Sequence, residues 1–108
     1  MKIIEGIRPG AYLRGEDFTN NYREMYFERI DLSGANLRDA ILTDSNFSNA
    51  NLDNTDLREA SLWLTNLSNA SLRNANLRDA DLRGTNLKGA IFQAPNGDKY
   101  VVGKGRVE

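Results

Sequence analysis

A leucine or phenylalanine recurs every five residues along most of the chain: Leu32, Leu37, Leu42, Phe47, Leu52, Leu57, Leu62, Leu67, Leu72, Leu77, Leu82, Leu87 and Phe92. Two positions before each stands a small or β-branched residue, such as Ile30, Ala35, Ser45, Thr55 or Ala90. Neither regular element can gather such a series into one core. Five residues advance a helix by about 500°, which spreads the leucines around every side. On a strand five is odd, so they would alternate between the two faces. The chain must therefore change direction once per repeat. Turn chemistry stands two residues after each Leu or Phe, at Gly34, Asp39, Asp44, Asn49, Asn54, Glu59, Leu64, Asn69, Asn74, Asp79, Gly84, Gly89 and Ala94. Ten of those 13 are Gly, Asn or Asp, which tolerate left-handed or tight-turn backbone. Within each repeat the small residue and the Leu or Phe point inward, and the other three positions point out. Four near-right-angle turns then return the chain over itself after 20 residues. Ala35-Asn-Leu-Arg-Asp39, Thr55-Asp-Leu-Arg-Glu59 and Ala75-Asn-Leu-Arg-Asp79 match at that spacing, although Ala60-Ser-Leu and Ala70-Ser-Leu also match at ten.

With its A-(N/D)-L-x-x register the chain resembles the pentapeptide-repeat family, closely over residues 30–94 and loosely over 11–29. The resemblance implies an all-β fold, a right-handed quadrilateral β-helix of about three to four coils with four repeats in each and capped ends. It also implies a bacterial protein and a solenoid that carries no activity by fold alone.

A length of 108 residues gives a single domain, 1–108. Residues 1–10, with Ile3, Ile4 and Ile7, are expected to cap the first coil; the alternative for these apolar residues is a partner site. Residues 11–29 form an imperfect first coil, in which Tyr22 and Phe27 keep the phase while Asn20 and Met25 replace the small residue. Residues 30–94 are the regular repeats. After the turn signal Pro95-Asn96-Gly97, residues 95–108 are expected to form a C-terminal hairpin and tail. Open coil ends carry unpaired strand edges, so a monomer or a homodimer through a terminal cap is expected.

Composition narrows the chemistry. The chain has no His and no Cys, so the commonest general base and the thiol nucleophile are both missing. The expectation is no enzyme, with no catalytic residue, no cofactor and no metal site. The start lacks the apolar core of a secretory signal and no apolar run nears membrane-spanning length, which predicts a cytoplasmic protein without membrane contact. A net charge of −1 gives no steering toward direct nucleic-acid binding. Arg38, Arg58 and Arg78 fall in one column beside Asp39, Glu59 and Asp79, and predict a ladder of exposed ion pairs between coils. An anion-binding stripe is the functional alternative, opposed by the adjoining carboxylates. Asn46, Asn66 and Asn86, and likewise Asn36, Asp56 and Asn76, predict columns of stacked side chains that bond up and down.

One repeat breaks the pattern: Ala60-Ser-Leu-Trp63-Leu64. Trp63 and Leu64 are bulky and apolar at outward positions, and Leu64 replaces a turn residue at a corner. Such local inconsistency is expected at functional sites. Ile41 lies on the same face one coil away, and Arg83 shares the column of Trp63, where a cation–π contact with the indole is available. These four residues form the candidate partner-binding patch, since Trp and Arg are favoured interface anchors. The functional expectation is a non-catalytic protein-interaction or structural solenoid with an unknown protein partner. The family resemblance supplies an alternative, a DNA-mimicking modulator of DNA gyrase of the fluoroquinolone-resistance type. Residues 30–94 carry 8 acidic and 6 basic residues, a near-neutral balance that disfavours a DNA mimic.

Overall fold

The computed structural model describes residues 24–93. The expected cap at 1–10, the greater part of the imperfect coil at 11–29 and the hairpin at 95–108 lie outside them. Over the described residues the chain forms the right-handed quadrilateral β-helix that the family resemblance implies. Nine single-residue parallel bridges, from Tyr26↔Asn46 to Asn66↔Asn86, all join positions 20 apart. Two short strands, β1 (Ser71–Arg73) and β2 (Ile91–Gln93), pair in the same register, with Leu72 opposite Phe92. Twenty residues therefore make one coil, and 24–93 span three and a half of them.

The repeat can be understood by asking where its five backbone N–H groups go. In the repeat centred on Leu52, Asn51 donates to Ile30 O in the preceding coil, at 2.8 Å. Leu52 and Asn54 donate forward to Ser71 O and Arg73 O in the next coil, at 2.7 and 2.8 Å. Thr55 N–H closes the turn onto Leu52 O. The fifth group, the N–H of Asp53, is left over, and the side chain of Asn51 accepts it at 3.0 Å. The same side-chain cap recurs at Asp31, Asn36, Asn46, Asp56, Asn66, Asn76, Asp81 and Asn86. This is the Asx turn, in which a short polar side chain satisfies the backbone two residues on. It corrects the expectation that the Asn columns bond up and down: each carbonyl oxygen turns instead into its own repeat.

Every corner places its residue in the left-handed region, with φ of 55–62° at the non-glycine corners. The inward columns are closed to solvent. Leu32, Leu37, Leu42, Leu52, Leu57, Leu62, Leu67 and Leu72 are all at most 1% exposed. Phe27, from the imperfect coil, continues the phase as expected: it is buried and its ring stacks on Phe47, centroids 4.7 Å apart. Inward Thr55 and Thr65 are buried with their hydroxyls satisfied, Thr65 donating to Leu42 O at 2.7 Å and Thr55 to Leu52 O at 2.7 Å.

The ion pairs also differ from expectation. Arg58 forks onto Asp56 two residues back, at 2.9 and 2.7 Å, and Arg38 reaches its neighbour Asp39 at 4.0 Å; neither crosses between coils. Positions immediately before and after the inward leucine project from the same wall, so the nearest carboxylate lies within the repeat. Among the described residues Arg73 to Asp53, at 3.9 Å, is the pair that does span two coils.

Candidate interaction face

Two adjacent walls show how the outward positions are used. The arginine face lies over Leu37, Leu57 and Leu77 and carries Asn36, Asp56 and Asn76 before the leucines and three arginines after them. The tryptophan face lies over Leu42, Leu62 and Leu82. Before its leucines stand Ile41, Ser61 and Asp81, after them Thr43, Trp63 and Arg83, and along its corner Glu24, Asp44, Leu64 and Gly84.

This second wall holds a groove of about 510 Å³. Ile41, Ser61 and Asp81 line one side, Thr43, Trp63 and Arg83 the other, and the corner carboxylates Glu24 and Asp44 complete it. Trp63 is 48% exposed. The structure thus brings together three of the four residues singled out in the sequence, Trp63, Ile41 and Arg83. Leu64 does not line the groove. It sits at the corner, 47% exposed, with φ of 58°, and covers Gly84, where an added Cβ would meet its Cδ2 at 2.7 Å.

Arg83 does not stack on the indole. Its guanidinium forks onto Asp81, Nε at 2.9 Å and Nη2 at 2.6 Å, the strong bidentate geometry. That carboxylate raises the guanidinium pKa above its ordinary value. The pairing was visible in the sequence as Asp two residues before Arg, the same spacing as Asp56 and Arg58. Glu24, Thr43, Asp44 and Ser61 were missed as groove residues. Asp44 and Thr43 follow from the columns of Leu64 and Trp63, whereas Glu24 belongs to a repeat whose register frays.

The wall also lacks the Asx cap in two successive coils. Ile41 has no acceptor to offer, and the Ser61 hydroxyl pairs with the Thr43 hydroxyl at 3.2 Å. Among the described residues nothing accepts the backbone N–H of Trp63. None of the described residues forms a cluster of three or more acidic, His or Cys side chains placed to hold a metal. No helix among them is long and apolar enough to cross a membrane.

Comparison with known proteins agrees with this architecture. Alr5209, a pentapeptide repeat protein from Nostoc PCC 7120, is similar at 30% identity and a TM-score of 0.57, over 74% of this chain and 66% of that one. HetL, a pentapeptide repeat protein involved in heterocyst differentiation regulation in Nostoc sp. strain PCC 7120, is 28% identical over 84% of this chain and 50% of its own, with a TM-score of 0.41. The chain therefore spans 66% and 50% of the lengths of these two proteins. A pentapeptide repeat protein of the Arabidopsis thaliana thylakoid lumen is 30% identical over 86% of this chain and 73% of its own, with a TM-score of 0.34. No curated protein matches the sequence significantly. A family profile described as a pentapeptide repeat region matches residues 21–94, a stretch that contains the described coils, Asx caps and left-handed corners of 24–93, and the chain belongs to the pentapeptide-repeat family.

Proposed function

We propose that the protein is a non-catalytic interaction module, a rigid solenoid that binds a protein partner through its tryptophan face. The observation that carries this reading is the groove centred on a half-exposed indole, on a wall whose sister wall is uniformly polar. Tryptophan at an outward position of a repeat gains nothing for the core, since the inward columns are already closed by Leu42, Leu62 and Leu82. Large rigid aromatics in partly enclosed sites are the usual anchors of protein interfaces. The half-exposed apolar pair Trp63 and Leu64, side by side at outward positions, supports the same reading.

A pull-down comparing wild type with the Trp63→Ser/Leu64→Asn double variant tests it. Partners held by wild type should be lost by the variant, and an unchanged set of partners overturns the proposal. The variant keeps the fold, because it restores residues that other repeats use at those positions. The gyrase-binding alternative gains no support from the surface, whose charges nearly cancel over 30–94. Unaltered supercoiling by gyrase at micromolar protein would retire it.

A further inference from the structure

The charge around the groove identifies the partner's chemistry, on the premise that the tryptophan face is the binding face. Three carboxylates line it, Glu24, Asp44 and Asp81, against one cation, Arg83. Arg83 and Asp81 neutralise each other through two hydrogen bonds. Glu24 and Asp44 are exposed at the corner and take no ion pair with any described residue. Among the described residues, what remains around the indole is therefore two negative charges without an ion-pair partner. An aromatic face flanked by free carboxylates attracts a cation twice, through the ring quadrupole and through direct charge. The same field repels a phosphate backbone or an acidic peptide. Among the described residues Arg83 is the one cation lining the groove, and it is committed to Asp81.

A second observation concerns the backbone. Among the described residues the N–H of Trp63 lacks the cap that Asn and Asp provide in nine other repeats, and Trp63 lines the groove. A free main-chain donor beside an apolar surface suits the carbonyl of an extended peptide.

We propose that the groove takes an extended basic segment of a partner protein, with a Lys or Arg side chain lying against Trp63 and its charged head between Asp44 and Glu24. Trp63 is the single tryptophan of the chain, so its fluorescence reports on this site alone. Titrating the full-length protein with short peptides that alternate Lys or Arg with apolar residues should shift the Trp63 emission saturably, and added salt should weaken the effect. Matched peptides carrying Glu or Gln in place of the cation should bind at least tenfold more weakly, as should the cationic peptide to an Asp44→Asn/Glu24→Gln variant, a change of about 1.4 kcal/mol or more. Both changes keep corner residues of similar shape, and an unaltered circular dichroism spectrum verifies folding. Glu59→Gln on the arginine face serves as a control and should leave binding unchanged. Equal binding of the Glu or Gln peptides, or full affinity in the corner variant, overturns the proposal. So does an emission shift on raising protein concentration without peptide, which would make the occupant a second copy of the chain. The two readings fail separately: a partner that is lost with Trp63→Ser/Leu64→Asn yet binds through a neutral or acidic segment sinks the basic segment and leaves the interaction module standing.

Discussion

The arginine face and the tryptophan face are neighbouring walls of one solenoid. They share inward leucines, left-handed corners and a ladder that joins residues 20 apart. On the arginine face each outward residue serves its own repeat: Asn36, Asp56 and Asn76 accept the N–H groups of Arg38, Arg58 and Arg78. On the tryptophan face that service stops in two successive coils, and a bulky aromatic stands where the other wall carries an arginine. Inward positions of a β-helix are fixed by packing, so they cannot distinguish one wall from another. Only the outward positions are free to differ, and a wall that omits the local cap has given up stability for something the fold does not require.

The largest test of this division compares core and wall. Leu57→Ala on the arginine face and Leu62→Ala on the tryptophan face each remove a buried side chain, 0% and 1% exposed, and should each cost about 2–5 kcal/mol in denaturant unfolding followed by circular dichroism. Trp63→Ser should stay within about 0.5 kcal/mol of wild type, as surface changes do. A loss for Trp63→Ser as large as that for the leucines would make the indole a structural element and end the contrast between the walls.

A smaller effect isolates the cap itself. Asn76→Ala withdraws the acceptor at 3.1 Å from the Arg78 N–H and should cost about 0.5–1.5 kcal/mol. Ser61→Asn should do the reverse by giving the Trp63 N–H the acceptor it lacks. In amide hydrogen exchange, Arg78 should lose protection in the first variant and Trp63 gain it in the second. If Trp63 is already protected in wild type, its N–H has a partner and the tryptophan face is not deficient.

The columns that define both walls were legible in the sequence, because period five, four turns and a 20-residue coil assign each position a side. That is why Trp63, Ile41 and Arg83 could be grouped before any contact was known, and why Phe27 could be placed in phase across a fraying repeat. The contacts made by outward side chains were not legible. Asn46, Asn66 and Asn86 do form a column, but whether an amide bonds along the column or back into its own turn depends on which backbone N–H is left over. That follows only once the ladder is assigned bond by bond. Arg83 was misread for a related reason: a shared column suggested Trp63, while the closer group was Asp81 on the same stretch of backbone. Leu64 read as part of the patch because a leucine at a corner is unusual, yet its place is set by Gly84, whose missing side chain makes room for it.

The smallest expected effect lies in the carboxylates of the arginine face, where two of them act in opposite directions. Arg58 holds the Asp56 carboxyl below its ordinary value of 3.8, chiefly through their side-chain hydrogen bonds. Folded protein then binds fewer protons there than unfolded protein, so this contribution is present above pH 3.8 and is lost as pH falls through the lowered value. Glu59 behaves in reverse. A hydrogen bond with the Asp39 carboxyl one coil away, and then repulsion between the two charges, push it above its ordinary value of 4.5. Folded protein holds that proton more tightly, so stability falls as pH rises from 4.5 through the raised value, and the penalty persists at neutral pH. Glu59→Gln should therefore raise the melting temperature slightly at pH 7, and the gain should shrink once the pH drops below the ordinary value of 4.5. A gain of equal size at both pH values would trace to the backbone of the left-handed corner, at φ of 60°, instead of to charge. Either way the corner of the arginine face tolerates an unfavourable acid pair without losing its regularity, whereas at the corner of the tryptophan face Glu24 and Asp44 take no ion pair with any described residue beside the groove.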